Sequence, residues 1–579
     1  MGGIPWLGPV AFHSSRVGEC SENLNAEECA YRMGFWRYWY QADRVYGLAT
    51  VIFFLTTILL FSIIHALSRT LTPSNRKVTG SKARKAFRYL CYKNYTLGGI
   101  STPPLGVMFL LGTGAVVFLC LMLGPQPYYW PNSPTKSYGD SPPIATRSGW
   151  MALAMLPFLL ALSAKANLIT ALTGVPHEKL QVYHQWVAYA MLVLALVHTF
   201  PFIVYNAAQH GLQEQWRTSV FWWTAWLTFA SWGPLRRRFY EFFKATHLFA
   251  ALVFVIFFFL HCDFTLTSVD YFIAAAGVYL VPLVFAWVRG LVVFGLKRRA
   301  TLVPLSGGAV KISISVDGED KWRPGQHVFV RFFTLGLHAG TAHPFSICSV
   351  ARNGEGKSDM VLYVKPAGGL TARLATMAQN NPGCSVAVGI EGAYGGLAVR
   401  DLSQFDKVLL IGGGSGAGFT LGLIEDILSR SPDARHIKSV RVVLASRRSP
   451  ARDWYGDELH RLGQKYAQAK DLVQVTWHET RDTEGVEEAG YPAKKSSSEV
   501  GDRVESGDEK GAGLELDVKQ GRPSLPELIK GETERYSGES IAVVVCGPEG
   551  MANDVRGAAA QAQRQSGSGE VYLHVEGFS

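Results

Sequence analysis

The stretch Val182-YHQWVAYAMLVLALVHTFP-Phe202 decides how this chain is read. It is apolar throughout except for a few small polar groups and two histidines, His184 and His198. A second apolar stretch, Phe239 to Cys262, carries His247 and His261. In each stretch the two histidines stand 14 positions apart. Along a helix that is about 21 Å, and the pair falls about 40° short of four full turns, so both lie on nearly one face. Runs of this length and apolarity read as transmembrane helices. A histidine inside one is costly and reads as functional. Two such helices side by side would set the four imidazoles in two facing pairs, one near each end of a span. Each pair can clamp a haem iron from both sides. His65, in another apolar stretch, has no matching partner and reads as a hydrogen-bonded core histidine.

Working outward, the chain has 579 residues, too many for one domain, and 48% of them are hydrophobic. The apolar residues crowd between Tyr46 and Phe294. Seven spans are expected there: Tyr46–Leu67, Pro104–Gly124, Trp150–Thr170, Val182–Phe202, Trp216–Trp232, Phe239–Cys262 and Tyr271–Trp287. The fifth is the weakest, short and aromatic-rich with Arg217 near its start. The loop after the first span holds Arg69, Arg76, Lys77, Lys82, Arg84, Lys85, Arg88 and Lys93 with no acidic residue, which marks it as cytosolic. Arg236 to Arg238 and Lys297 to Arg299 then fall inside only if the fifth span crosses. The N-terminus is expected outside. His184 and His247 form the inner pair, and His198 and His261 the outer. The net charge of +10 comes from these loops, so no nucleic-acid partner is expected. Trp186, Trp222, Trp223, Trp226 and Trp232 read as an interfacial belt. Of the eight cysteines, Cys20 and Cys29 fit a disulfide if their segment is extracellular.

The rest reads as soluble modules. The expected division is an extracellular segment 1–45, a membrane domain 46–296, an antiparallel β-barrel 300–402 and an α/β nucleotide-binding domain 405–579. In the barrel, His343-Pro344-Phe345-Ser346 offers apolar walls and a hydroxyl for a flavin ring. Lys365 and the turn Gly368-Gly369-Leu-Thr371 offer donors for a pyrophosphate. From Lys407 a buried strand runs into Gly412-Gly413-Gly414-Ser415-Gly416, followed by a helix: a phosphate cradle. A second strand ends in Ser446-Arg447-Arg448, with no acidic residue for a ribose hydroxyl. A hydroxyl and guanidinium groups suit a 2′-phosphate, so NADPH is expected over NADH. A third strand runs into Cys546-Gly547-Pro548, placed to meet a nicotinamide; Ser346 and Cys546 are the candidate catalytic residues. Residues from about 481 to 519 read as a charged, disordered insertion.

From about Tyr46 to the C-terminus, insertion aside, these motifs resemble the fungal transmembrane ferric/cupric reductases, in the superfamily that also holds the NADPH oxidases. The resemblance implies FAD, two b-type haems and NADPH as electron donor. It implies electron transfer from the cytosol to an extracellular acceptor, with ferric or cupric chelates first and oxygen, giving superoxide, second. A non-catalytic scaffold or permease is a remote third reading. It also implies a plasma-membrane location and association with an iron-uptake permease/oxidase system. Two departures stand out: Gln185 where relatives often have arginine, and a C-terminus at Ser579 where many carry a further aromatic residue, leaving Phe578 as the candidate flavin cover.

Overall fold

The computed structural model describes residues 24–70, 82–97, 100–129, 142–209, 220–231, 236, 240–296, 298–317, 322–351, 356–397, 401–430, 436–447, 450–480, 514–536, 538–565 and 569–577. It divides into two compact units. One comprises Met1–Pro73, Gly106–Val292 and Ser579; the other comprises Ser74–Leu105 and Val293–Phe578. Residues 74–105, read from the sequence as part of the membrane domain, therefore cluster with the soluble modules.

The first unit is helical. Helix α1 (Ala26–Ala42) runs through a π turn at Asp43–Gly47 into α2 (Leu48–Thr70). Helix α3 (Lys82–Tyr92) belongs to the other unit. Then come α4 (Leu105–Leu123), α5 (Pro143–Ser163), the short α6 (Leu168–Thr173) and α7 (His177–Gln209). They are followed by α8 (Val220–Ala230), α9 (Tyr240–Cys262) and α10 (Ser268–Phe294). Among the described residues six helices are long and apolar enough to cross a membrane, not the seven expected. The shortfall is the fifth span. Its described part, α8, has 11 residues, about 16 Å of helix against a hydrocarbon core of about 30 Å. Positions 216–219 and 232 lie outside the described residues.

The third span is also shifted. Expected at Trp150–Thr170, it runs from Pro143 to Ser163, because Pro142 and Pro143 start the helix. Asn167 then caps the separate α6. The hydropathy reading stopped short of Arg147, yet this arginine is fully buried within the helix. Its Nη1 donates to Tyr38 Oη at 2.8 Å. Its guanidinium carbon lies 5.3 to 6.0 Å from the ring centres of Tyr38, Tyr46 and Tyr128. Cation–π attraction and that hydrogen bond offset part of the cost of burying the charge.

The second unit holds two six-stranded sheets. The antiparallel one contains β1 (Arg298–Pro304), β2 (Val310–Asp317), β3 (Gln326–Phe332), β4 (His343–Ser346), β5 (Lys357–Val364) and β6 (Cys384–Gly395), with α11 (Gly369–Asn380) between the last two. Its order is β4-β3-β6-β1-β2-β5. Inward positions alternate along β2, where Val310, Ile312, Ile314 and Val316 are buried, as an amphipathic strand demands.

The other sheet is parallel. Its elements are β7 (Lys407–Gly413), α12 (Ala417–Ser429), β8 (Ser439–Ser446), α13 (Pro450–Lys465) and β9 (Val473–Glu479). They continue through β10 (Leu516–Gln520), α14 (Leu525–Arg535), β11 (Ile541–Gly547), α15 (Glu549–Arg564) and β12 (Val571–Gly577). The order β10-β9-β8-β7-β11-β12 puts the apolar strands β7 and β11 inside the sheet, buried along their whole length. Edge strand β10 corrects the expected insertion: the last residues assigned to it pair with β9, Val475 opposite Leu516 through Glu479 opposite Gln520. Their charge pattern suits a solvated edge, which hid the strand in the sequence. Residues 481–513 lie outside the described residues.

Helix α3 packs on this sheet's last elements. Arg88 and Arg84 both pair with Glu570, whose side chain is 1% exposed. Arg88 also donates to the Val571 carbonyl at 3.0 Å, and Tyr92 Oη accepts from the Leu573 N–H. Removing one partner of a buried ion pair costs roughly 3–5 kcal/mol, because the other charge stays buried alone. The loop between the first two spans is thus built into the second unit.

Candidate functional site

In the membrane unit, α7 and α9 bring the four histidines into two pairs, as their spacing predicts. The His184 and His247 ring centroids are 6.5 Å apart with planes at 72°. Those of His198 and His261 are 6.0 Å apart at 89°. Two metal–nitrogen bonds of about 2 Å, plus about 1.1 Å from each nitrogen to its ring centre, would separate centroids by about 6.2 Å. Both pairs match a single ion held between two imidazoles.

The outer nitrogens are oriented by groups that only the tertiary structure supplies. His184 Nδ1–H donates to the Leu159 carbonyl at 2.9 Å, and His198 Nδ1–H donates to the Ala145 carbonyl at 2.8 Å. Both acceptors are on α5. His247 Nδ1 lies 3.2 Å from Ser231 Oγ, whose own hydrogen goes to the Leu227 carbonyl, so Nδ1–H is the donor here too. A carbonyl can only accept, so each bond fixes the tautomer that leaves Nε2 free as a metal ligand. Gly149 makes the His198 contact possible: a Cβ there would lie 2.6 Å from His198 Nδ1. Near the same pair, Arg147 Nε and Nη2 are buried without a hydrogen-bond partner. Such a donor set suits a carboxylate. The donor chemistry, the ring separations and these two unpaired guanidinium nitrogens all fit haem.

In the second unit a cavity of about 1030 Å³ gathers residues from both sheets. Of the expected site residues, Lys365, Gly368, Gly413, Gly414, Ser415, Ser446, Arg447 and Pro548 line it. Strand, glycine turn and helix follow one another at the expected phosphate loop. Strand β7 ends at Gly413, Gly414 turns with φ of 57°, and α12 begins at Ala417, so its unpaired N–H groups face the loop. Gly416 and Gly412 sit just behind. Gly368 caps α11, whose first residue is Gly369, and the Thr371 hydroxyl is used within that turn, donating to the Gly368 carbonyl.

Other expected residues are not at the cavity wall. Cys546 is fully buried at the end of β11, and burial pushes its thiol well above the ordinary range, so it stays protonated. Gly547 follows it in the same strand. The four residues of β4 do not form one wall. Strand alternation sets His343 and Phe345 on one face and Pro344 and Ser346 on the other. Phe345 leans on Phe332 at 6.2 Å, and His343 Nε2 bonds the Thr341 hydroxyl. Phe578 and Arg448 lie outside the described residues.

The cavity also contains residues the sequence reading missed. Tyr363 and Trp454 stack at 4.6 Å on its wall. Thr480 and Arg522 come from the two ends of the insertion. The Thr480 N–H donates to the Ser446 carbonyl and the Gly521 N–H to the Glu479 carbonyl, which pins Arg522 beside Arg447's strand. The Gly521-Arg522-Pro523 turn was the available signal, overlooked because the preceding charges read as spacer.

Family models match in succession along the chain. The ferric reductase like transmembrane component matches residues 148–258, the FAD-binding domain 295–398 and the ferric reductase NAD binding domain 405–560. A probable cell surface ferric reductase of Aspergillus oryzae is 32% identical over 62% of this chain and 50% of its own length. Ferric/cupric reductase transmembrane component 7 of Saccharomyces cerevisiae is 31% identical over 58% of this chain and 55% of its own. Ferric/cupric reductase transmembrane component 1 of Candida albicans is 26% identical over 72% and 55%. The chain thus spans about half the length of the curated relatives it matches. With membrane, flavin and nucleotide modules matched in that order, the chain is similar to the fungal ferric reductases along most of its length.

Proposed function

We propose that this membrane protein moves electrons from cytosolic NADPH, through FAD and two b-type haems, to ferric or cupric chelates outside a plasma membrane. The observation that carries this is the pair of imidazole clamps, each with ring centroids 6.0 to 6.5 Å apart. His184 and His247 would hold the inner haem, and His198 and His261 the outer one. Bound there, FAD would divide a hydride's electron pair and the haems would carry single electrons. The protein's own share is positional. Carbonyls of Leu159 and Ala145 and the Ser231 hydroxyl orient the ligands. The Gly413–Gly416 loop binds phosphate. Ser446, Arg447 and Arg522 offer a hydroxyl and two guanidinium groups to a 2′-phosphate. His198 and His261 together would hold the outer haem, which would supply single-electron transfer to the acceptor.

The orientation has independent support. The loop 74–105 and the flavin and nucleotide modules share one compact unit, which requires an even number of crossings between them. Helices α4, α5, α7, α9 and α10 are five, so the α8 region would make the sixth. That count supports a cytosolic side for the modules, the side marked by the basic loop.

The test is anaerobic reduction of purified protein with FAD and NADPH. The expected result is haem reduction, followed by reoxidation on adding a ferric chelate. Absence of any haem absorbance would sink the proposal. Chelate reduction abolished by superoxide dismutase in air would assign oxygen as the acceptor instead.

Nucleotide choice gives a second check. A hydrogen bond to a charged group contributes about 1.5–3 kcal/mol, so Arg522→Ala should raise the KM for NADPH about 10- to 100-fold. The KM for NADH, which lacks the 2′-phosphate, should hardly change. Equal losses for both nucleotides would remove Arg522 from this role.

A further inference from the structure

Helix α3 is amphipathic in the opposite sense to a surface helix of a soluble protein. At about 100° per residue, Arg84, Lys85, Arg88, Tyr89, Cys91 and Tyr92 fall within one broad arc. That arc faces the nucleotide-binding module: Arg84 and Arg88 hold Glu570, and Tyr92 meets the backbone of β12. The remaining arc, about 100° wide, carries Ala83, Ala86, Phe87 and Leu90. All four are exposed, Phe87 at 53% and Leu90 at 46%. The charges point into the protein and the apolar stripe points out. A soluble helix that buried its basic face and exposed its apolar one would be unstable in water, so this stripe calls for an apolar neighbour.

We propose that this stripe lies in the surface of the bilayer, on anionic lipid. Three observations commit it to that occupant. The helix is tethered on both sides by membrane-spanning segments, α2 ending at Thr70 and α4 starting at Leu105, so it cannot leave the bilayer's neighbourhood. The charge is complementary: between Arg69 and Lys93 the chain carries eight lysines and arginines and no acidic residue, and six of them lie outside the pairing of Arg84 and Arg88 with Glu570. Lys82, exposed at the edge of the stripe, and Lys93 flank it. Tyr95, 47% exposed with Lys93 over its ring at 5.0 Å, supplies the amphipathic aromatic typical of the headgroup region. A short apolar stripe with basic flanks binds membranes by shallow insertion plus attraction to anionic headgroups. Through its other face, the helix ties the nucleotide-binding module to that surface. Neither haem nor NADPH enters the argument, so it stands or falls apart from the proposed electron transfer.

The experiment uses the full chain in lipid nanodiscs. An acridone-bearing amino acid is introduced at position 87 and, in a second variant, at 90, with exposed position 357 at the start of strand β5 as control. Lipids brominated on their acyl chains quench only labels at the bilayer. Strong quenching is expected at 87 and 90, greater with phosphatidylserine present than in phosphatidylcholine alone, and reduced by Lys82→Glu. Quenching at 87 and 90 no stronger than at 357 overturns the proposal, as does energy transfer between labels on two copies in its place. Quenching indifferent to phosphatidylserine overturns the assignment to anionic lipid.

Discussion

His198→Ala is expected to halve the haem bound per chain, from two to one, and to cut electron flow from NADPH to a ferric chelate on the order of 100-fold or more. The substitution would remove one of the two imidazoles proposed to hold the outer haem and leave His261 alone. It also frees the Ala145 carbonyl that orients the ring. The inner pair should keep its haem, because its ligands and its acceptors at Leu159 and Ser231 are separate. NADPH should therefore still reduce the remaining haem while the chelate no longer reoxidises it. Pyridine haemochrome absorbance per chain gives the stoichiometry, and stopped-flow absorbance follows the two steps. His65→Ala, on α2 and outside both pairs, should leave the haem content at two. If His198→Ala retained two haems, the pairing of His198 with His261 would be wrong.

Gly416→Ala should abolish useful NADPH binding while leaving flavin in place. A methyl group is small, but at this position its carbon would lie 2.1 Å from the Cys546 carbonyl oxygen and 2.7 Å from the carbonyl carbon. Those are backbone atoms of the fully buried central strand β11, which has no freedom to retreat. The start of α12 must move instead, and the N–H groups of the cradle move with it. Losing one or two charge-assisted hydrogen bonds, about 3 kcal/mol together, is on the order of a 100-fold rise in the KM for NADPH. Gly414→Ala is a milder comparison: nothing lies within 4 Å of its Cβ position, though its φ of 57° carries strain. Retained FAD fluorescence quenching with lost NADPH oxidation is the expected signature. A KM within a few-fold of the parent would mean the phosphate does not rest on this loop.

How much of this was legible beforehand follows from which interactions are local. The spacing of His184 with His198 and of His247 with His261 is a property of single helices, and periodicity carries it. The strand–glycine–helix run from Lys407 to Leu428 is local in the same way. By contrast, Arg147 sits inside a span because three distant tyrosines receive it, and hydropathy counted it only as a charge. Strand β10 exists because β9 offers an edge, although its own residues favour solvent. Of the expected fifth span the described residues hold only the 11-residue α8.

By itself the sequence determined the apolar helices, the two histidine pairs on them, the basic loop after the first span and the order of flavin and nucleotide modules. Each is encoded by residues near one another along the chain. Only the tertiary structure decided which carbonyls of α5 fix the imidazole tautomers. It alone decided that Arg522 enters the nucleotide cavity, and that the basic loop after the first span is clamped by Glu570. These depend on pairs of groups tens to hundreds of residues apart, brought together by packing and burial, and no local pattern records them.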